Sequence, residues 1–149
     1  MNTLAIHLVK TAESFRRFAY DDATGKPLVP GDTIKGHPTI GYGLCLDTRG
    51  IPQEDAELLT TRYLVELERS LRVERPEFRN LSMTRQAVIL DMAYNLGISG
   101  VLMFKKMWAE IGRAYFRAAA DEMLDSKWAK QVGDRADRLA SIMATDSLE

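Results

Sequence analysis

The chain has 149 residues, a length that suits one domain or two small lobes sharing a connection. Hydrophobic residues make up 46% and charged residues of both signs 28%, so a core can form and a disordered chain is excluded. A net charge of −1 argues against the basic surface that non-specific nucleic-acid binding needs.

Cys45 is the only cysteine, so no internal disulfide can form and none of the Cys-based zinc spacings is met. The two histidines, His7 and His37, are too few and too separated for a typical His-based metal site. The expectation is therefore no metal and no organic cofactor.

Leu4, Leu8 and Ala12 recur at helical spacing after a capping Asn2 or Thr3, which predicts a helix over about 3–12. With His7 and Lys10 inside it, this stretch is too short and too polar for a signal peptide. No apolar run approaches the ~20 residues that span a bilayer. The expected product is a protein without membrane insertion that stays in the cytoplasm of the cell making it until something releases it. Glu13 falls at the helix end, where the partial negative charge disfavours a carboxylate. A solvated surface glutamate is the plain alternative.

Phe15, Phe18 and Tyr20 lead into Asp21 and Asp22, then a turn-rich run through Thr24-Gly25, Pro30-Gly31 and Gly36-His37-Pro38. Short extended pieces are predicted at Leu28-Val29, Thr33-Ile34 and from Thr39 to Leu46, as a small antiparallel sheet with hairpin turns. Gly41 and Gly43 flank Tyr42, and glycines in a strand mark either a close approach by another group or only a tight turn. The two aspartates are acid/base candidates or plain turn residues.

Pro52 followed by Glu54 and Asp55 opens a long amphipathic helix over 53–74, with Ala56, Leu59, Tyr63, Leu67 and Leu71 on one face. Its charged face reads as solvated, and the helix itself as a connector between lobes. Pro76 breaks it. Ser82 or Thr84 starts a helix that is apolar nearly all round except at Asp91, and Gly97 is placed to stop it. Further helices are predicted at 101–110, 114–124 and 134–144, with a short turn of helix near 126–131. Trp108 and Trp128 read as core residues before sugar platforms.

At Glu13, Tyr20, Asp22 and Thr39-Ile40-Gly41-Tyr42-Gly43 the chain resembles the T-even phage lysozymes, the endolysins of glycoside hydrolase family 24. The eight residues between Glu13 and Asp22 fit that pattern and favour Asp22 over Asp21. The resemblance continues at Arg85-Gln86-Ala87-Val88-Ile89-Leu90-Asp91-Met92-Ala93-Tyr94-Asn95-Leu96-Gly97, at Ser126-Lys127-Trp128 and at Arg135-Ala136-Asp137-Arg138, in order along nearly the whole chain. It implies an α+β, mostly helical lysozyme-like fold: one domain, 1–149, with a small β-containing lobe at 13–50, the connecting helix 53–74, and a helical lobe at 76–149 joined by helix 3–12.

The implied activity is an N-acetylmuramidase that cuts the β-1,4 bond between N-acetylmuramic acid and N-acetylglucosamine, with inversion. Glu13 would be the general acid. Asp22 and Thr39 would hold or activate the attacking water, or Asp22 would be the nucleophile. Tyr94 would face the sugar, Arg135 would pair with the acid, and Asn95 and Trp128 would brace the site. The implied partners are peptidoglycan strands and a holin, for a monomer held in the host cytoplasm until lysis and then acting on the wall in the periplasm.

Three features depart from the family pattern: a longer segment between Asp22 and Thr39, Leu44 where many relatives carry histidine or arginine, and the weakly acidic balance. Competing readings are a lytic transglycosylase, which needs one glutamate and no water, a silent wall-binding protein, and a helical DNA-binding module. Retention of Asp22 and Thr39 argues against the first, Glu13 against the second, and the charge balance against the third.

Overall fold

A computed structural model describes residues 2–148. The chain forms two compact units, the first running to Glu57 and the second from Leu58.

The first unit begins with α1, Thr3–Ala12, capped by the Asn2 side chain, which accepts the Ala5 N–H at 3.2 Å. At Glu13 the backbone turns to φ −101°, ψ 113°, while its N–H still bonds the Val9 carbonyl at 2.8 Å. The last helical hydrogen bond and the first extended residue thus coincide at Glu13. The chain runs straight on into β1, Arg16–Asp21, which pairs antiparallel with β2, Pro38–Gly41. In turn β2 pairs with β3, Leu44–Cys45, through Thr39 opposite Cys45 and Ile40 opposite Leu44.

The sheet is antiparallel, small and near the N-terminus, in keeping with the α+β expectation, but its strands are not all the ones predicted. Leu28-Val29 and Thr33-Ile34 form no strand of it, although the Leu28 N–H bonds the Ala19 carbonyl of β1 at 2.9 Å beside an isolated Tyr20–Pro27 bridge, and β1 is a strand that was not predicted. Val29 is tied into a local turn by the Asp32 carboxylate, which accepts its N–H at 2.9 Å. The next stretch gives its Lys35 and Gly36 N–H groups to the side chain of Asp21, at 2.9 and 3.0 Å. Amides committed to carboxylates are not available for a ladder.

The long helix α2, Gln53–Glu74, matches the predicted span and opens with Glu54 and Asp55 in its first turn. It buries Leu67 and Leu71 in the core of the second unit. A short 3-10 helix, Pro76–Asn80, follows where proline was expected to break the chain. Then comes α3, Met83–Leu102, whose N-cap Ser82 accepts the Arg85 N–H.

Gly97 does leave the helical region, at φ 72° and ψ 167°, yet helical bonding resumes and α3 runs on to Leu102. The first helical run thus ends at Gly97 as predicted, a short second run follows at once across a kink, and the next helix starts later than predicted. That helix is α4, Lys105–Gly112, followed by α5, Phe116–Leu124, α6, Lys127–Val132, and α7, Asp134–Thr145.

In α3, Val88, Ile89, Met92 and Ala93 are buried, as its nearly all-round apolar pattern requires. Helices α5 and α7 pack against each other, and both bring buried alanines to the core. Small side chains let helix axes approach closely. Trp108 is buried with its indole N–H donating to the Val101 carbonyl at 3.0 Å, so its polar handle is satisfied inside the core. Among the described residues no single helix is long and apolar enough to cross a membrane.

Candidate active site

Glu13 stands at the end of α1 with an exposed side chain. Its carboxylate lies over the turn between β2 and β3. A Cβ built on Gly43 would sit 3.1 Å from Glu13 Cδ and Oε2, closer than side chains ordinarily pack. Gly43 also holds φ +74°, so two independent constraints select glycine there. The Thr-Ile-Gly-Tyr-Gly stretch is thus a tight hairpin turn and also a place of close approach. The ring of Tyr42, between the glycines, packs against Phe15 at 5.4 Å and takes the Lys10 ammonium over its face at 5.2 Å.

The adjacent aspartates have separate tasks. Asp21 is 4% exposed. Its carboxylate accepts the N–H groups of Ala23 (3.0 Å), Lys35 (2.9 Å) and Gly36 (3.0 Å). The Lys35 amide holds its pKa below the usual carboxylate value, burial opposes that, and the Gly36 and Ala23 amides and the Thr24 hydroxyl add to the lowering. Asp21 is a structural acceptor that folds the segment from Asp22 to Gly36 back onto the strand.

Asp22 is exposed. Its Oδ1 accepts the His37 N–H at 2.7 Å, while its own N–H donates to the His37 carbonyl at 3.1 Å. Gly36 makes room for it: a Cβ there would fall 2.1 Å from Asp22 Oδ1. Thr39, on β2, is buried, and its hydroxyl donates to the same His37 carbonyl at 3.2 Å. A single peptide residue, His37, therefore joins the two candidate water-positioning side chains.

The imidazole of His37 meets a further cluster. Its Nδ1 is 2.9 Å from Asp47 Oδ2, and the Cys45 thiol donates to Asp47 Oδ1 at 3.0 Å. The hydrogen bond and charge of Asp47 raise the His37 pKa, burial lowers it, and Asp22 adds to the rise. Asp47 is lowered first by the Cys45 hydrogen bond and next by that of His37. The three side chains could hold a metal ion. The count of histidines and cysteines hid this possibility, because it treats each residue type separately.

In the second unit, Tyr94 is 42% exposed and its ring meets Tyr63 edge-on at 5.5 Å. Tyr94, Asp91 and Arg135 share an open groove with Leu64, Ala87 and Leu90. Arg135 donates from Nε to Asp91 Oδ1 at 2.9 Å, and its Nη2 lies 2.8 Å from the same oxygen. Asp91, the one charge in the apolar run of α3, thus has its counter-ion on α7. Asn95 and Trp128 are also brought together: the buried indole donates to Asn95 Oδ1 at 3.0 Å.

The phage lysozyme family model matches residues 10–142, spanning both groups of residues just described. The chain belongs to the phage lysozyme family. It is 32% identical to a probable T4-type lysozyme 1 of Dictyostelium discoideum over 48% of this chain and 42% of that protein. With a probable T4-type lysozyme 2 of the same organism it shares 25% identity over 74% of this chain and 68% of that one. It is also 24% identical to the pre-baseplate central spike protein Gp5 of Enterobacteria phage T4, over 99% of this chain and 29% of that protein. The chain therefore spans less than half the length of two of these three relatives.

Within this phage lysozyme fold, the first unit carries Glu13, Asp22 and Thr39, and the second carries Tyr94, Asn95, Trp128 and Arg135. Sequence reasoning left Asp21 open between acid/base candidate and turn residue, and the structure makes it a turn acceptor; it missed the cluster at His37. The signal for Asp21 was present: an aspartate opening Asp-Asp-Ala-Thr-Gly is an Asx-turn pattern. The cluster depended on cross-strand pairing and left no such local mark.

Proposed function

We propose that this phage lysozyme homologue is a muramidase that hydrolyses the β-1,4 bond between N-acetylmuramic acid and N-acetylglucosamine in peptidoglycan. The observation that carries it is the pair of carboxyl groups held in unlike settings within one small unit. Glu13 ends a helix and lies over Gly43, whereas Asp22 is fixed by the His37 amide. A glycosidase needs one carboxyl group to donate a proton and another, ionised, to act on water or the sugar.

In this reading Glu13 protonates the leaving oxygen. The exposed Asp22 carboxylate draws a proton from water. Thr39, whose hydroxyl donates to a carbonyl, keeps its own lone pairs free to orient that water. Attack by such a water gives inversion. The exposed ring of Tyr94 supplies a stacking face for a sugar. The substrate is reached from the host cytoplasm once a partner such as a holin has opened the membrane, and the chain acts as a monomer; family membership is what supports both statements.

Mass spectrometry of muropeptides released from purified Gram-negative peptidoglycan tests the activity. Wild type should release fragments ending in reducing N-acetylmuramic acid. Glu13→Gln should lower the rate by at least about 100-fold while keeping its far-UV circular dichroism, as expected for loss of a general acid. Asp22→Ala should be as severe. Anhydro ends would replace hydrolysis by transglycosylation and remove Asp22 from the mechanism. Retained lysis by Glu13→Gln would remove the assigned acid.

A further inference from the structure

We propose that His37 Nδ1, Cys45 Sγ and the Asp47 carboxylate form a binding site for a zinc-class divalent cation at the foot of the β2–β3 hairpin. The site goes beyond the glycosidase reading and does not depend on it.

Backbone pairing makes the site. Thr39 faces Cys45, and the Leu46 N–H continues the pairing by bonding the Pro38 carbonyl at 2.8 Å. One step further, His37 stands opposite Asp47. Asp47 lies in the turn just after β3, and the Cys45 thiol reaches its carboxylate at 3.0 Å. An imidazole, a thiol and a carboxylate are thereby aimed at one point, and their ligand atoms all lie within 4.8 Å of one another.

The distances suit a tetrahedral ion. Zinc with ordinary Zn–N, Zn–O and Zn–S bonds spaces its ligand atoms about 3.3–3.6 Å apart. Here Nδ1 is 2.9 Å from Asp47 Oδ2, and Sγ is 3.0 Å from Oδ1. The Nδ1–Oδ2 and Sγ–Oδ1 contacts would each widen by only about half an ångström to admit the ion, while Nδ1 and Sγ already lie within 4.8 Å of each other. On binding, the thiol proton leaves to solvent, the Nδ1 proton now directed at Asp47 moves to Nε2 or is released, and the hydrogen bonds joining the three groups are exchanged for bonds to the metal. The Thr48 hydroxyl, 2.9 Å from Sγ, already donates the hydrogen bond that steadies a ligand thiolate.

One nitrogen, one sulfur and one oxygen donor favour zinc or cobalt over magnesium or calcium. His37 and Asp47 are exposed, which opens an entry path and leaves the fourth position to water. The first unit also has a use for a clamp. Among the described residues its buried ones are Asp21 and Thr39, both polar, whereas the described buried hydrophobic residues lie from Leu67 onward. A small unit without an apolar core gains stability from a cross-link.

The test titrates the full-length, metal-stripped chain with Zn²⁺ by calorimetry and with Co²⁺ by absorption. One ion per chain is expected, with a Kd tighter than about 100 μM. The cobalt form should show a thiolate-to-metal charge-transfer band and the intense visible bands of tetrahedral geometry. Cys45→Ser, whose hydroxyl can keep the bond to Asp47, should lose the charge-transfer band. His37→Ala and Cys45→Ser should each weaken binding by about tenfold or more. Zinc should raise the Tm of wild type by more than that of Cys45→Ser. Weaker binding in wild type, no thiolate band, or equal affinity in a folded Cys45→Ser would overturn the site. If His37→Ala does not fold, Cys45→Ser alone decides.

Discussion

Gly43 and Gly41 differ in one respect that matters for chemistry. Both hold positive φ, +74° and +67°, but only at Gly43 would a methyl group press on the Glu13 carboxylate. Alanine at either position should cost roughly 1 kcal/mol of stability from the backbone conformation alone. Gly43→Ala should in addition reduce kcat for wall hydrolysis, while Gly41→Ala should leave it near wild type. Paired urea melts and turnover assays on the two variants separate the effects.

Asp21 gives a test that needs no substrate. Its folded-state pKa lies below the ordinary value near 3.8, so its contribution to stability is fully present above that value. The contribution is lost as pH falls from there through the lower folded pKa. Asp21→Asn should therefore have a lower Tm than wild type at neutral pH by several degrees. The gap should narrow below about pH 4, because wild type then loses the same charge. Thermal melts from pH 7 to pH 3 read this directly.

At the scale of elements, the end of α7 is tied to the start of α3 by Arg85. Its guanidinium donates to the Met143 carbonyl at 2.8 Å and to Asp146 at 3.2 Å, and lies 3.6 Å from the centre of the Phe116 ring. Ser82, the cap of α3, hydrogen-bonds the same Asp146. A planar fork that donates in several directions while stacking on a ring is not replaced by an ammonium group. Arg85→Ala should cost about 2–3 kcal/mol by chemical denaturation, and Arg85→Lys should recover less than half of it. The exposed Arg135–Asp91 pair, with both side chains about 40% exposed, is a different case: its loss should cost at most about 1 kcal/mol.

Across the whole molecule, stability is unevenly spread. The second unit contains the apolar cluster from Leu67 to Met143, and the first is held by strand pairing and carboxylate–amide bonds. Elements with few buried apolar contacts open at lower free energy. Amides of β1 and β2 should thus exchange at urea concentrations where those of α3 and α7 remain protected. Native-state hydrogen exchange measures this, and equal protection in both units would show that they unfold as one.

Helix spans were legible in the sequence because each rests on local information: apolar spacing, proline and acids at the start of α2, a serine cap on α3. The family was legible because its motifs stand in order along nearly the whole chain, with Glu13 and Asp22 at the pattern's spacing even though the segment from Asp22 to Thr39 is longer. Strand identity was not legible at 28–34, where the Leu28 amide bonds β1 but the Val29 amide turns to Asp32 and the chain beyond is drawn to Asp21 through Lys35 and Gly36. The end of the first helical run at Gly97 was legible because glycine takes a positive φ readily, whereas the second run that follows at once across the kink was not. The closeness of Glu13 to Gly43 and the meeting of His37, Cys45 and Asp47 were decided by tertiary structure alone. Each depends on which strand lies opposite which, and cross-strand pairing joins residues that nothing in the local sequence connects.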